Sequence, residues 1–281
     1  MKRLGVILIF LCLSFQLNAQ AAEDTDTSAV VSPALVFHEF GRNIVYSMTY
    51  NYGINFIGAG LGTWAMVETG IDWGWRNAAY NNAALPNMGL PLLFAGYIVP
   101  VLTPLPLYLA GRRLADLKLQ TTAAALVQAF AITQMFHVPL KLVTGRTNPG
   151  IISGVFFEPG NTRDTRTVDF SGEFNWFKFD LMDGWPSGHT ACAFSAAAVI
   201  SEIYNEKPIL KIGVYAYAVL MSFSVSVNAH WASDSIAGAL YGYAVGKAVG
   251  RSFGRVMGTD KSKNAVSIYA LPNSIGIIIR V

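Results

Sequence analysis

The chain is 281 residues long, 53% hydrophobic and only 13% charged. Soluble domains carry about 25% charged residues, so this composition predicts a protein that is partly embedded in a membrane or unusually apolar. A formal charge of +3, with no basic patch interleaved with aromatics, excludes nucleic acid as a partner.

The N-terminus has the grammar of a secretory signal. Lys2 and Arg3 precede an apolar stretch from Leu4 to Phe15, and Ala19-Gln20-Ala21 offers a small-residue cleavage site. We expect residues 1–21 to be a signal peptide; the alternative is an uncleaved first membrane helix, for which the apolar run is short. Cys12 lies inside this segment. Cys192 is then alone in the mature chain, so an intramolecular disulfide is excluded and a buried thiol is expected.

Residues 22–88 read as a lead-in followed by interfacial helices. Phe37 to Asn51, with His38, Arg42 and Tyr46, suits an amphipathic helix or an interface anchor. Ile54 to Val67 is apolar but closed by Glu68, which fits a re-entrant or interfacial segment as well as a span.

Residues 89–250 hold the stronger apolar segments. Gly89–Gly111 carries Pro91, Pro100, Pro104 and Pro106, and Leu119–Leu140 is uncharged. Gly188–Ile200 is short and Ala-rich, Ile212–Ala232 is long and uncharged, and Ile236–Val249 carries Gly238, Gly242 and Gly246 on one face. Glycines four apart permit close helix approach. The fold class expected is all-α, a bundle of about five to six mostly membrane-spanning helices. Residues 251–281 form a basic linker and a tail; two short strands around Pro272-Asn273-Ser274 are the simplest reading of the tail.

Charge placement predicts a topology. Arg112, Arg113 and Lys118, then Lys207 and Lys211, then Lys247, Arg251 and Arg255 form three basic clusters, assigned to the cytoplasm. The acidic connector over 144–185 belongs outside. The location predicted is the bacterial inner membrane with the site facing the periplasm, or the periplasm itself for a soluble protein.

Three motifs carry chemistry. Pro186-Ser187-Gly188-His189 opens a helix: Ser187 is a natural N-cap, Gly188 allows close backbone approach, and free amides at a helix start bind anions. His189 beside such an anion is placed to protonate a leaving oxygen. His230 and Asp234 are four apart and share a face on a helix, so the carboxylate can fix the imidazole tautomer and free its other nitrogen for attack. Lys141 ends an apolar helix, where it suits either an interface anchor or a cation that neutralises phosphate. Arg146, Asn148 and Pro149 follow it. His38 and His137 are read as structural. No metal cluster is evident and no cofactor is implied.

Together these motifs resemble the type 2 phosphatidic acid phosphatase superfamily, whose helical core also occurs in bacterial acid phosphatases and vanadium haloperoxidases. The family pattern is a lysine followed after six residues by Arg-Pro, then Pro-Ser-Gly-His, then Ser-Arg, five residues, His, three residues and Asp. The resemblance implies that His230 is a nucleophile forming a phosphohistidine and that Asp234 orients it. It implies that His189 is the general acid and that Lys141, Ser187 and Gly188 bind phosphate. The chain departs from the pattern at Asn148 and at Phe223-Ser224, where both family arginines are missing. Arg146 could reach the site in their place, although a Gly-Arg is common within this motif in relatives. The function implied is hydrolysis of a phosphomonoester or diphosphate, with a membrane lipid phosphate as substrate partner. The alternatives are a catalytically weakened, lipid-binding relative and a soluble periplasmic acid phosphatase.

Overall fold

The computed structural model describes residues 30–82, 84–149, 168–179, 184–258, 266–271 and 274–279. The expected signal segment over residues 1–21 and much of the acidic connector lie outside the described residues. The chain is built from helices, joined to a two-stranded hairpin. A 3-10 turn over Pro33–Phe37 leads into α1 (Phe40–Met48), α2 (Gly53–Glu68), α3 (Ile71–Tyr80), α4 (Ala84–Leu102) and α5 (Pro104–Arg113). Then come α6 (Leu117–Thr144), α7 (Gly188–Ile203), α8 (Pro208–Asn228) and α9 (Ala232–Val256). The tail forms β1 (Val266–Leu271) and β2 (Ser274–Ile279), paired antiparallel with Val266 opposite Ile279.

Two expectations are corrected at helix ends. The apolar run over Gly89–Gly111 is broken at Thr103, because Pro104 opens a new helix instead of continuing the old one. The run over Ile212–Ala232 stops at Asn228, so His230 lies in the turn between α8 and α9. The Ile54–Val67 segment is a regular helix, α2, packed on α9.

The centre of the bundle is α9, which packs on α7, α2, α1 and α6. Its closest partner is α7, and glycine spacing explains why. A Cβ at Gly238, Gly242 or Gly246 would run into the carbonyl oxygens of Ser187, Ala191 or Ser195 in turn, and one at Gly250 would meet Val199 and Glu202. The two backbones therefore touch along four successive turns. Cys192 is buried in this region as a free thiol.

The far end of α9 is pinned by charge. Glu39 accepts from Ser252 Oγ at 2.8 Å and from Arg255 at 2.9 Å, while His38 meets the edge of Phe253 with ring centroids 5.4 Å apart. His38 is thus structural, about 35 Å along the helix from His230 at 1.5 Å per residue. Among the described residues two helices, α6 and α8, are long and apolar enough to cross a membrane by length and composition. Ile209, Ile212, Val219 and Leu220 of α8, with Ile54, Ile57, Leu61 and Trp64 of α2, present large apolar side chains outward.

Candidate active site

At the near end of α9 the second and third motifs meet. Ser187 is the N-cap of α7: its hydroxyl accepts from Thr190 N, and its own amide donates to Asp234 O at 3.0 Å. The amides of Gly188 and His189 stand ahead of the first intrahelical carbonyl, in the turn where helices bind anions. Gly188 is glycine for a spatial reason. A Cβ there would clash with Tyr97 Oη and His137 Nε2. Gly184 takes φ +117 and lies against the Lys141 backbone, so the chain enters the second motif directly over the end of α6.

His230 and Asp234 do interact, but not as neighbours on one helical face. Trp231 is the N-cap of α9, and Asp234 bonds its amide at 3.2 Å with Oδ2. The same oxygen stands 3.2 Å from His230 Nδ1. One carboxylate oxygen therefore caps the helix and holds the imidazole, leaving Nε2 turned from the carboxylate. His230 is 6% exposed.

Arg146 is not where the resemblance would let it reach a phosphate. It is fully buried behind Asp234, and its guanidinium donates to Asp234 Oδ1 and Ser233 Oγ through Nη1, to Asp72 Oδ2 and Ser171 O through Nη2, and to Ser171 O again through Nε. An arginine has five N–H donors, and these contacts use them all. It anchors the carboxylate that holds His230 instead of facing a substrate. Burial alone would raise the Asp234 carboxyl; the Arg146 charge and the His230 ring outweigh it and hold the group below its ordinary value.

Asp72, which sequence reading passed over, completes this anchor. It sits in the first turn of α3, accepts from Ser233 N at 2.8 Å and from Ser233 Oγ, and pairs with Arg146 at 2.7 Å. Arg76, one turn later on α3, is also buried. It donates to Asn228 O and Pro149 O, each at 3.2 Å, and burial lowers its pKa to about 10. Trp231 Nε1 reaches Thr147 O at 2.8 Å. These bonds stitch the segment after Lys141 to the turn that carries His230.

His230 and Lys141 lie near enough to His189 to act on its charge. Burial first, then His230 and Lys141, push the His189 imidazole down to about 3. The two missing arginines have different settings. Asn148 is half-buried between Thr147 and Pro149. Ser224 is fully buried on α8, donates to Gly89 O, and lies where a Cβ on Gly89 would be in contact with its Cα. Its position is closed by α4.

Residues 122–257 match the sequence model of the PAP2 superfamily. No curated protein and no solved structure matches the chain. With the match spanning all three motifs and the helices that carry them, residues 122–257 belong to the type 2 phosphatidic acid phosphatase (PAP2) superfamily.

Proposed function

We propose that the protein is a membrane-associated phosphatase that hydrolyses a phosphomonoester or diphosphate of a lipid through a phosphohistidine on His230. The observation that carries this reading is the joint held by Asp234. One of its oxygens fixes His230 Nδ1, and its carbonyl receives the amide of Ser187. The imidazole is thereby set beside the anion-binding start of α7 and next to His189.

In the reaction, Nε2 of neutral His230 attacks phosphorus with its lone pair, and the bond to the leaving oxygen breaks as His189 donates a proton to it. The His230 ring gains positive charge, which the Asp234 carboxylate balances. His189, now neutral, takes a proton from water as that water attacks the phosphohistidine, and Nε2 leaves with its electron pair. Lys141 and the α7 amides hold the phosphate oxygens. Burial disfavours the charged form of His189, so the negative charge of a bound phosphate is what would hold the proton it donates.

The exposed apolar faces of α2 and α8, with the membrane-length helices α6 and α8, favour a lipid substrate. The acidic outer connector and the secretory start favour a site facing the periplasm of a bacterial inner membrane. Purified protein in detergent is expected to release phosphate from phosphatidic acid or a polyprenyl diphosphate, and His230→Ala to abolish release. A folded wild type that releases none from a broad lipid panel would sink the proposal. Ser224, closed off by α4, supports a second reading as a lipid-binding relative without turnover. Under it, a His230→Ala gene would complement a deletion.

A further inference from the structure

We propose that His137 is a phosphate-contacting residue of this site, supplying from α6 one of the donors that Asn148 and Ser224 do not. The inference rests on the phosphatase reading and deepens it. Sequence analysis reads His137 as structural; its surroundings say otherwise. It lies one turn before Lys141, so the two side chains leave α6 on the same face. Its Nε2 lies close enough to Gly188 that a Cβ there would clash with it, which puts the ring against the first residue of the α7 turn.

His137 is 6% exposed, and its Nδ1 is buried without a hydrogen-bond partner among the described residues. A buried imidazole nitrogen with no partner is costly, and a ligand that fills the site can remove that cost. Among the described residues, the charged or titratable groups that act on the ring belong to the site. Lys141 comes from its own helix, His189 from α7 and His230 from the α8–α9 turn, and all three act electrostatically on it. Tyr97 of α4 shares the Gly188 contact and stacks edge-on against His189 with ring centroids 4.3 Å apart. No carboxylate of the described residues is among them. A ring framed by Lys141 and two other imidazoles suits an anion. Phosphate oxygens can take a proton-bearing imidazole nitrogen as donor where the family has a guanidinium.

The test uses full-length protein in detergent, with inorganic phosphate and orthovanadate as probes. His137→Phe keeps the ring volume and removes both nitrogens; His137→Gln keeps an amide donor. The phenylalanine variant is expected to weaken binding of both probes by about tenfold or more, the scale of one hydrogen bond to a charged group. The glutamine variant should recover part of that loss, with thermal midpoints close to wild type. If the folded phenylalanine variant binds the probes as wild type does, or the folded glutamine variant binds them no better than the phenylalanine variant, the inference is overturned. Should the phenylalanine variant not fold, histidine-labelled wild type decides by NMR: the His137 ring signals must shift when phosphate is added, and unmoved signals overturn the inference. A wild type that neither binds the probes nor releases phosphate counts against the phosphatase reading. Wild-type binding with an indifferent His137 counts against this inference alone.

Discussion

The amide of Ser187 donates to the carbonyl oxygen of Asp234 at 3.0 Å, joining the N-cap of α7 to the first turn of α9. That bond needs the two helix starts in backbone contact. The contact exists because Gly238, one turn into α9, offers no side chain to the Ser187 carbonyl. Gly238→Ala should therefore force the helices apart at the site itself. We expect a loss of about 1–3 kcal/mol, the usual cost of overpacking, and a fall in turnover larger than the fall in folded protein. Gly62→Ala is the control, since a Cβ there meets nothing within 4 Å. Equal activity per folded molecule in the two variants would refute the link between the seam and the site.

The role of Arg146 can be separated from phosphate binding in the same way. Its donors are spent on Asp72, Asp234, Ser233 and Ser171. Arg146→Lys cannot supply five directed donors, and Arg146→Gln leaves two buried carboxylates facing each other. Breaking such a buried pair costs about 3–5 kcal/mol, so both variants should lose stability, and Asp72→Asn should lose less. Whatever protein remains folded should bind inorganic phosphate as wild type does. Weakened phosphate affinity in well-folded Arg146→Lys would restore the arginine to the substrate side.

A third expectation concerns pH. The Asp234 carboxyl is held below its unfolded value of about 3.9. A group depressed in this way contributes stability that is complete above its unfolded value and is lost as pH falls through the folded one. Thermal midpoints of wild type and Asp234→Asn should therefore differ most at neutral pH. The gap should narrow below about pH 4. A gap that stays constant on acidification would show that the charge on Asp234 does not stabilise the fold.

What the sequence made legible was local. The Ser187 cap, the His230–Asp234 spacing and the glycines of α9 each depend on residues within a turn or two, and each has its expected partner. What it hid depends on helices meeting across the chain. Asp72 bonds Ser233 over a separation of 161 residues, and Arg76 bonds Asn228 over 152. A lone Asp and a lone Arg in an aromatic segment carry no periodic signal of such contacts. Arg146 illustrates the limit most sharply. Its proximity to Lys141 in sequence suggests a shared phosphate, while the carboxylates it meets in space turn it the other way.

The two missing family arginines are not equivalent, and this yields the last prediction. Position 224 faces α4, where its hydroxyl donates to Gly89 O and its backbone lies against that glycine. An arginine there would have to displace a helix, so Ser224→Arg should fail to fold or fold with greatly reduced stability. Position 148 is half-buried, and its neighbours Thr147 and Pro149 are held by Trp231 and Arg76 beside the turn that carries His230. A guanidinium grown from that segment has fixed backbone beneath it and the site beside it. Removing one transition-state donor costs about 10²–10³ in rate, so adding one in a position not tuned for it should return a part of that. Asn148→Arg is expected to raise kcat/KM by about tenfold, with tighter orthovanadate binding. An unchanged kcat/KM in stable Asn148→Arg would mean that Lys141, His137 and the α7 amides already satisfy the phosphate.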